Sequence, residues 1–430
     1  MPDSSATNDD RLYTRQFAQV FLAVLLFMTA VALQFHLGQY IEYLGHGVDV
    51  LGRIMSIGMV GTLLMRLRVG RWIDRVGCKP IWLAGAVVFA VATGSMQFAT
   101  QLWIITTLRA FSGMATAAVL TTVAVFAAQI APPRRRAESI GSMGLAGLVG
   151  IAVGPTVGDW IFAGTADSIT PFRIFFFASA ACSLLSGVIV LMLTMRSNNQ
   201  GAAGGMKSRL VGSLREAANS DELGDPVHPA LIGRPSQRAL VRQHWPGMIL
   251  LVGLVFAMVF CVQAMFLERL AEARGFHDIK LFYLVYSPTA ITLRIIFRRL
   301  PQQIGRSPTM VLGMILMTAG LCCLLGIESQ WRLIPPGILM GAGHCFIFPS
   351  MVDLAAGRFP AEHRGTGTSL ILGAGDVGML IGFGTLGELI DAFGFDTALL
   401  TLAGLMLVSA GAFSLRRYRA NRSRVAGLLR

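Results

Sequence analysis

The fold class this sequence predicts is an all-α polytopic membrane protein, with twelve transmembrane helices in two parallel six-helix repeats. Composition, the alternation of apolar stretches with charged breaks, and a repeat at constant offset lead there. Of 430 residues, 54% are hydrophobic and 14% charged, and the mean hydropathy is +0.63. A soluble domain typically carries about 25% charged residues. One spanning helix needs about 20 apolar residues, so the length holds twelve spans with their connections and little besides.

Apolar runs bounded by charges predict helices over 16–37, 48–68, 80–99, 102–130, 139–162, 172–195, 245–267, 280–300, 309–327, 331–356, 366–389 and 394–415. The opening MPDSSATNDD is polar and acidic, and the apolar stretch from Phe17 has neither a basic leader nor a small-residue cleavage site, so it is expected to remain as the first span. Residues 196–244 carry NNQGAAGG, several prolines and mixed charge, the composition of a flexible linker. The expected organisation is a six-helix half over 1–195, a cytoplasmic linker over 196–244 and a second six-helix half over 245–430.

A single constant shift of the chain superimposes Arg66 on Arg294, Gly77 on Gly305, Pro80 on Pro308, Gly113 on Gly341, Arg136 on Arg364, Gly150 on Gly378 and Gly154 on Gly382, with no gap. Two parallel halves related by an axis along the membrane normal follow from such a repeat.

Orientation follows from the basic residues, because retained Lys and Arg mark the cytoplasmic side. With both termini inside, that side receives the clusters around Arg66 to Lys79, Arg134 to Arg136, Arg196 to Arg242, Arg294 to Arg306, Arg358 with Arg364, and Arg416 to Arg430. The other side receives only Arg53, Arg109, Arg173, Arg269, Arg274, Lys280 and Arg332. This is the expected pattern of a multi-pass protein of the cell membrane. The net charge of +13 is thereby explained by topology, and no nucleic-acid partner is expected. The six cysteines lack metal-ligand spacing and read as small core residues. No P-loop, metal cluster or Ser-His-Asp order with a supporting loop is present, so neither enzyme chemistry nor a cofactor is expected.

Three motifs stand in order in the first half. GRWIDRVGCKP runs from Gly70 to Pro80; RAFSGMATA runs from Arg109 to Ala117; Gly141, Gly150, Gly154, Pro155 and Gly158 punctuate helix five. From chemistry alone, Gly70 and Gly77 permit a tight reversal, while Asp74 among Arg71, Arg75 and Lys79 can cap a helix and form ion pairs. The plain reading of that loop is a basic anchor. Glycines four apart let a neighbouring helix come close and Pro155 favours a bend, so packing is the plain reading of helix five. Together the motifs resemble those of the major facilitator superfamily, in particular its proton-coupled drug and small-molecule exporters, over nearly the whole chain. Cys78 stands where that family usually has a basic residue, Ser112 where it has glutamine, and Asp159 where the helix-five pattern ends in a second glycine. The resemblance implies that Gly70, Asp74, Arg75, Gly77 and Lys79 form a conformational latch, and that the Pro155 element seals an exporter against leakage. The second half has Gln302 and Gln303 opposite Asp74 and Arg75, which makes the latch one-sided.

Ionisable groups deep in a helix cost about 2.5–3.5 kcal/mol on insertion scales and mark functional candidates. Here they are Arg109, His344 and Asp376. Arg109 can instead snorkel or bond carbonyls, and His344 can be a neutral interhelical residue. A midplane carboxyl such as Asp376 must be protonated, paired or wet. Asp159 lies near the outer end of helix five, where water is expected to solvate it. Gln34, Gln263, Tyr283 and Tyr286 offer hydrogen bonds either to a substrate or between helices. The expectation is a monomeric secondary transporter in the lipid bilayer, carrying a small-molecule substrate by alternating access, with protons driving export. Uptake by symport or facilitated diffusion, and a transport-inactive sensor or scaffold on the same fold, are the alternatives.

Overall fold

A computed structural model of the chain describes residues 13–132, 135–163, 169–193, 237–297, 299–360 and 363–428. Contacts divide the chain into two units, Met1–Leu191 with Pro246–Arg430, and Met192–Trp245. The smaller unit contains the helix Gln237–Gln243. Of the stretch read as a linker, 196–244, residues 196–236 lie outside the described residues.

The larger unit is helical, with no strand among its described residues. Its spans are α1 Arg15–Tyr43, α2 Val48–Val76, α3 Cys78–Met96, α4 Leu102–Ile130, α5 Arg136–Phe162, α6 Thr170–Met192, α7 Met248–Ala273, α8 Lys280–Ile296, α9 Arg306–Leu324 and α10 Ile334–Ala356. The last element, Arg364–Leu428, breaks at Gly394 (φ 81°) into two arms, here α11 and α12. Ten stretches are long and apolar enough to cross a membrane. Dividing the last at Gly394 and adding α8, only 17 residues long, gives the twelve spans. We call the side where α1 begins and α12 ends the terminal face, and the other the distal face.

Local chemistry sets the ends. Thr14 caps α1 by accepting from the Phe17 amide at 3.2 Å. Gly77 (φ 85°) reverses the chain between α2 and α3, and its repeat partner Gly305 (φ 93°) does so before α9; both lie in the left-handed region that favours glycine. Inside the spans, threonine hydroxyls bond back one turn, as Thr93 does to the Phe89 carbonyl at 2.8 Å, so they need no water.

The repeat is visible in the packing. α1 lies on α5 as α7 lies on α11, α2 on α4 as α8 on α10, and α3 on α4 as α9 on α10. A side chain at Gly113 would strike the Gly58 carbonyl, and one at Gly341 the Tyr286 carbonyl, which is the same contact at the offset of the repeat. Gly85 meets Ala115 and Val119, and Gly313 meets Gly343 and Ile347, again at that offset. The halves join where α2 packs on α11 and α5 on α8. Two irregular turns face the distal end: a 3-10 turn over Gln34–His36 in α1 and a π turn over Val262–Phe266 in α7.

Candidate functional site

The densest cluster of buried charge lies toward the distal face. His36, carried by the 3-10 turn, is fully buried; its Nδ1 is paired with Glu268 of α7, and its Nε2 lies 3.1 Å from the Pro155 carbonyl and 3.3 Å from Asp159 of α5. All these partners are acceptors, so an imidazole carrying a proton on both nitrogens satisfies them together. Glycine makes the approach possible, because a side chain at Gly158 would occupy the His36 ring. One turn apart along α5, Gly154 rests on Ala32 and Leu33, and Gly150 on Leu25, Met28 and Thr29.

Asp159 is not solvated, contrary to the sequence expectation: it is 8% exposed. Its carboxylate accepts from the backbone amides of Ile279 at 3.1 Å and Lys280 at 2.6 Å, in the second half. Its carboxyl group adjoins that of Asp278. Partial burial opposes ionisation of Asp278, yet its hydrogen bonds with Asp159 and Lys280 hold it below the usual carboxylate range. Next to Glu268, Arg269 donates to the Gly38 carbonyl and pairs with Glu42 of α1 and, at 2.5 Å, with Glu272. The distal ends of α1, α5 and α7 are thus braced by charge. Beside the brace lies a cavity of about 590 Å³ lined by Glu42, Asp159, Phe172, Glu272, His277 and Lys280.

Deeper in the membrane, Asp376 of α11 is paired. Arg66 of α2 grips it with two nitrogens, Nη2 lying 3.0 Å from Oδ1 and Nε on Oδ2. This bridge also joins the halves, and Asp376 is 4% exposed. In the second half, the Tyr286 hydroxyl accepts from Gln263 at 3.1 Å and lies 2.5 Å from His344 Nδ1, while Tyr283 donates to the Gln263 carbonyl. Phe256, Phe260 and Phe348 surround the His344 ring. Gln263 Oε1 is buried and has no partner among the described residues.

The other candidates stay within their own halves. Gln34 donates to Ser179 at 3.0 Å, tying α1 to α6. Arg109 touches Met55 Sδ at 3.2 Å and Ser112 at 3.3 Å. Lys79 donates to the Leu191 carbonyl at 2.7 Å, Arg75 is exposed and Gly70 has open space around it. The Asp74 side chain lies outside the described residues. Among the described residues no group of His, Cys, Asp and Glu forms a metal site.

Sequence reasoning passed over His36, Glu268 and the pairing role of Arg66. Hydropathy ends helix one at 37 and helix seven at 267, which puts Glu268 in a loop. The available signal was helical periodicity: FLERLAEA continues the apolar face of α7 past its first charges.

Comparisons with known proteins accord with this architecture. The chain is 24% identical over 383 residues to a gallate transporter of Pseudomonas putida, covering 84% of this chain and 81% of that protein. It is 24% identical to multidrug resistance protein 2 of Bacillus subtilis (strain 168) over 149 residues, 35% of this chain and 36% of that one. Among solved structures, the inward-open xylose transporter XylE from E. coli superposes with a TM-score of 0.69 at 14% identity, covering 92% of this chain and 94% of that one. The nucleoside transporter NupG superposes at 0.70 and 14%, covering 94% and 99%. The family model of the Major Facilitator Superfamily matches residues 17–300 and 249–428. With both halves matched and the twelve-helix repeat in place, the chain belongs to the Major Facilitator Superfamily.

Proposed function

We propose that this transporter carries a small organic solute across the cell membrane by alternating access, that protons drive it, and that export is its direction. The solute passes unchanged, so no catalytic residue is assigned and no cofactor is needed; the working unit is a monomer. The observation that carries the reading is a pair of buried ionic bridges at two depths, His36–Glu268 and Arg66–Asp376, each with one partner from each half. Halves that rock about a central site must part such bridges. Adding a proton to a bridging carboxylate removes the ion pair and lowers the cost of parting. Asp376 is the proton site on this reading, with Glu268 a second carboxylate on the same path, and Arg109 and His344 respond to the change.

Export draws support from the Gly150, Gly154, Pro155 and Gly158 element, which packs α5 on α1 up to the His36 cluster, and from the multidrug resistance relatives. An organic solute is supported by the gallate transporter, which is similar over most of the chain. The basic residues of the terminal face support placing both termini in the cytoplasm. There the loop from Gly70 to Lys79, with Asp74, Arg75 and Gly77, serves as the latch. Uptake by symport is the second reading, and Asp159 in place of the exporter pattern's last glycine favours it.

Purified protein in liposomes, with a pH gradient imposed in either sense, tests the proposal. Solute flux against the proton flow is the expected result. Flux along the proton flow overturns export, and flux indifferent to the gradient overturns proton coupling.

A further inference from the structure

The repeat that places Arg66 on α2 places Arg294 at the equivalent position of α8. Their surroundings differ in one respect. Arg66 reaches across the interface between halves to Asp376. The position equivalent to Asp376 in the first half is 148, and it holds a leucine, 7% exposed. Arg294 is half-buried and has no ion pair or hydrogen bond among the described residues. Its two terminal nitrogens lie over α5 of the opposite half, where side chains at Gly141 and Gly144 would come within 3.9 and 3.8 Å of them. The guanidinium thus lies beside two glycines one turn apart, each of which could take a methyl in ordinary contact with it, and none of the described residues pairs it. His344 and Cys345 of α10 lie within reach of its charge. Around His344 stand Phe256 at 5.2 Å and Phe348 at 5.7 Å between ring centres, with the Tyr286 hydroxyl on Nδ1.

We propose that Arg294 binds the carboxylate of a ring-bearing organic acid, and that this substrate group supplies the acid which the first half lacks at position 148. A guanidinium offers two parallel donors to a planar carboxylate, and the aromatic wall beside His344 suits a flat ring. Bound there, the substrate completes between α8 and α5 the bridge that Asp376 makes between α11 and α2. Loading the site thus ties both sides of the interface, and an empty site ties one. The inference rests on the transporter reading above and names its substrate class.

The test is binding to the purified full chain of benzoate, phenylacetate and gallate, each compared with its neutral amide or methyl ester. At least one acid should bind more tightly than its neutral counterpart by roughly tenfold or more, the scale of a hydrogen bond to a charged group. Arg294→Gln should remove that preference and Arg294→Lys retain part of it. Leu148→Asp offers Arg294 an internal partner and should weaken acid binding without touching the arginine, whereas Leu148→Asn should not. Unfolding midpoints verify that the variants are folded, and the Leu148 pair carries the test if Arg294→Gln is not. Binding of none of the acids, equal binding of acids and neutral counterparts, or an acid preference that survives in Arg294→Gln overturns the proposal. Flux in liposomes separates the two readings: Arg294-dependent binding without flux overturns transport and leaves the site, and flux of neutral solutes alone overturns the site and leaves transport.

Discussion

His36 in the first half and Glu268 in the second are hydrogen-bonded to each other with side chains 0% and 1% exposed. An ionic contact so dry is costly to form, and removing one member leaves the other stranded, at about 3–5 kcal/mol. Its value to a moving protein lies in that dependence, because each half holds a group that only the other half can match.

Glu268→Gln should therefore loosen the distal face. Spin labels on the distal ends of α1 and α7 are expected to show a longer distance in this variant than in the unmodified protein. Identical distance distributions in both proteins would remove the pair from gating.

The Arg66–Asp376 bridge leads to a different expectation. Asp376→Asn should abolish uphill, proton-driven transport while preserving solute exchange at equal pH, and His344→Gln should have the smaller effect. Exchanging the two charges, with Arg66→Asp and Asp376→Arg together, should restore part of the stability lost in either single variant. Retention of uphill transport by Asp376→Asn would move the proton to Glu268 or His344.

On α5, space decides. Gly158→Ala puts a methyl where the His36 ring lies and should displace the imidazole, with loss of transport and about 1–3 kcal/mol of stability. Gly147→Ala meets only Met28, at an ordinary 3.7 Å, and should be nearly neutral. Comparable flux in the two variants would argue against a role for the close approach of α5 to α1.

The repeat makes its own prediction. Gly113→Ala and Gly341→Ala each drive a methyl into a backbone carbonyl of the partner helix and should destabilise by similar amounts, about 1–3 kcal/mol. Thermal unfolding in detergent compares them, and one neutral and one severe variant would mean that the two halves pack differently.

Much of this was legible in the residues. Apolar length placed the spans, and one offset joined Arg66 to Arg294 before any contact was known. Three things escaped. Glu268 and Arg269 read as the end of a span because hydropathy counts each charge as a cost, whereas here His36 and Glu42 on α1 offset it. Asp159 read as wet because its depth was judged along its own helix, while the amides that enclose it belong to Ile279 and Lys280, far along the chain. The partner of Asp376 was hidden for the same reason, since Arg66 looks like one more basic residue near a membrane boundary.

The turns at Gln34–His36 and Val262–Phe266 begin at equivalent positions of the two halves and depart from α geometry in opposite directions. Three residues wound at 3.0 per turn instead of 3.6 carry the helix about 60° further round than an ordinary α segment. A π turn does the reverse. The tips of α1 and α7 are accordingly out of phase with their stems in opposite senses, so the two halves meet at that end as lock and key rather than as copies. An imidazole on one side finds a carboxylate on the other, and the guanidinium next to that carboxylate finds Glu42 on the first side. Rewinding either turn to α geometry would rotate its tip and withdraw those charges while the stem stayed where it is, which makes the smallest moving part of such a gate a few residues of twist.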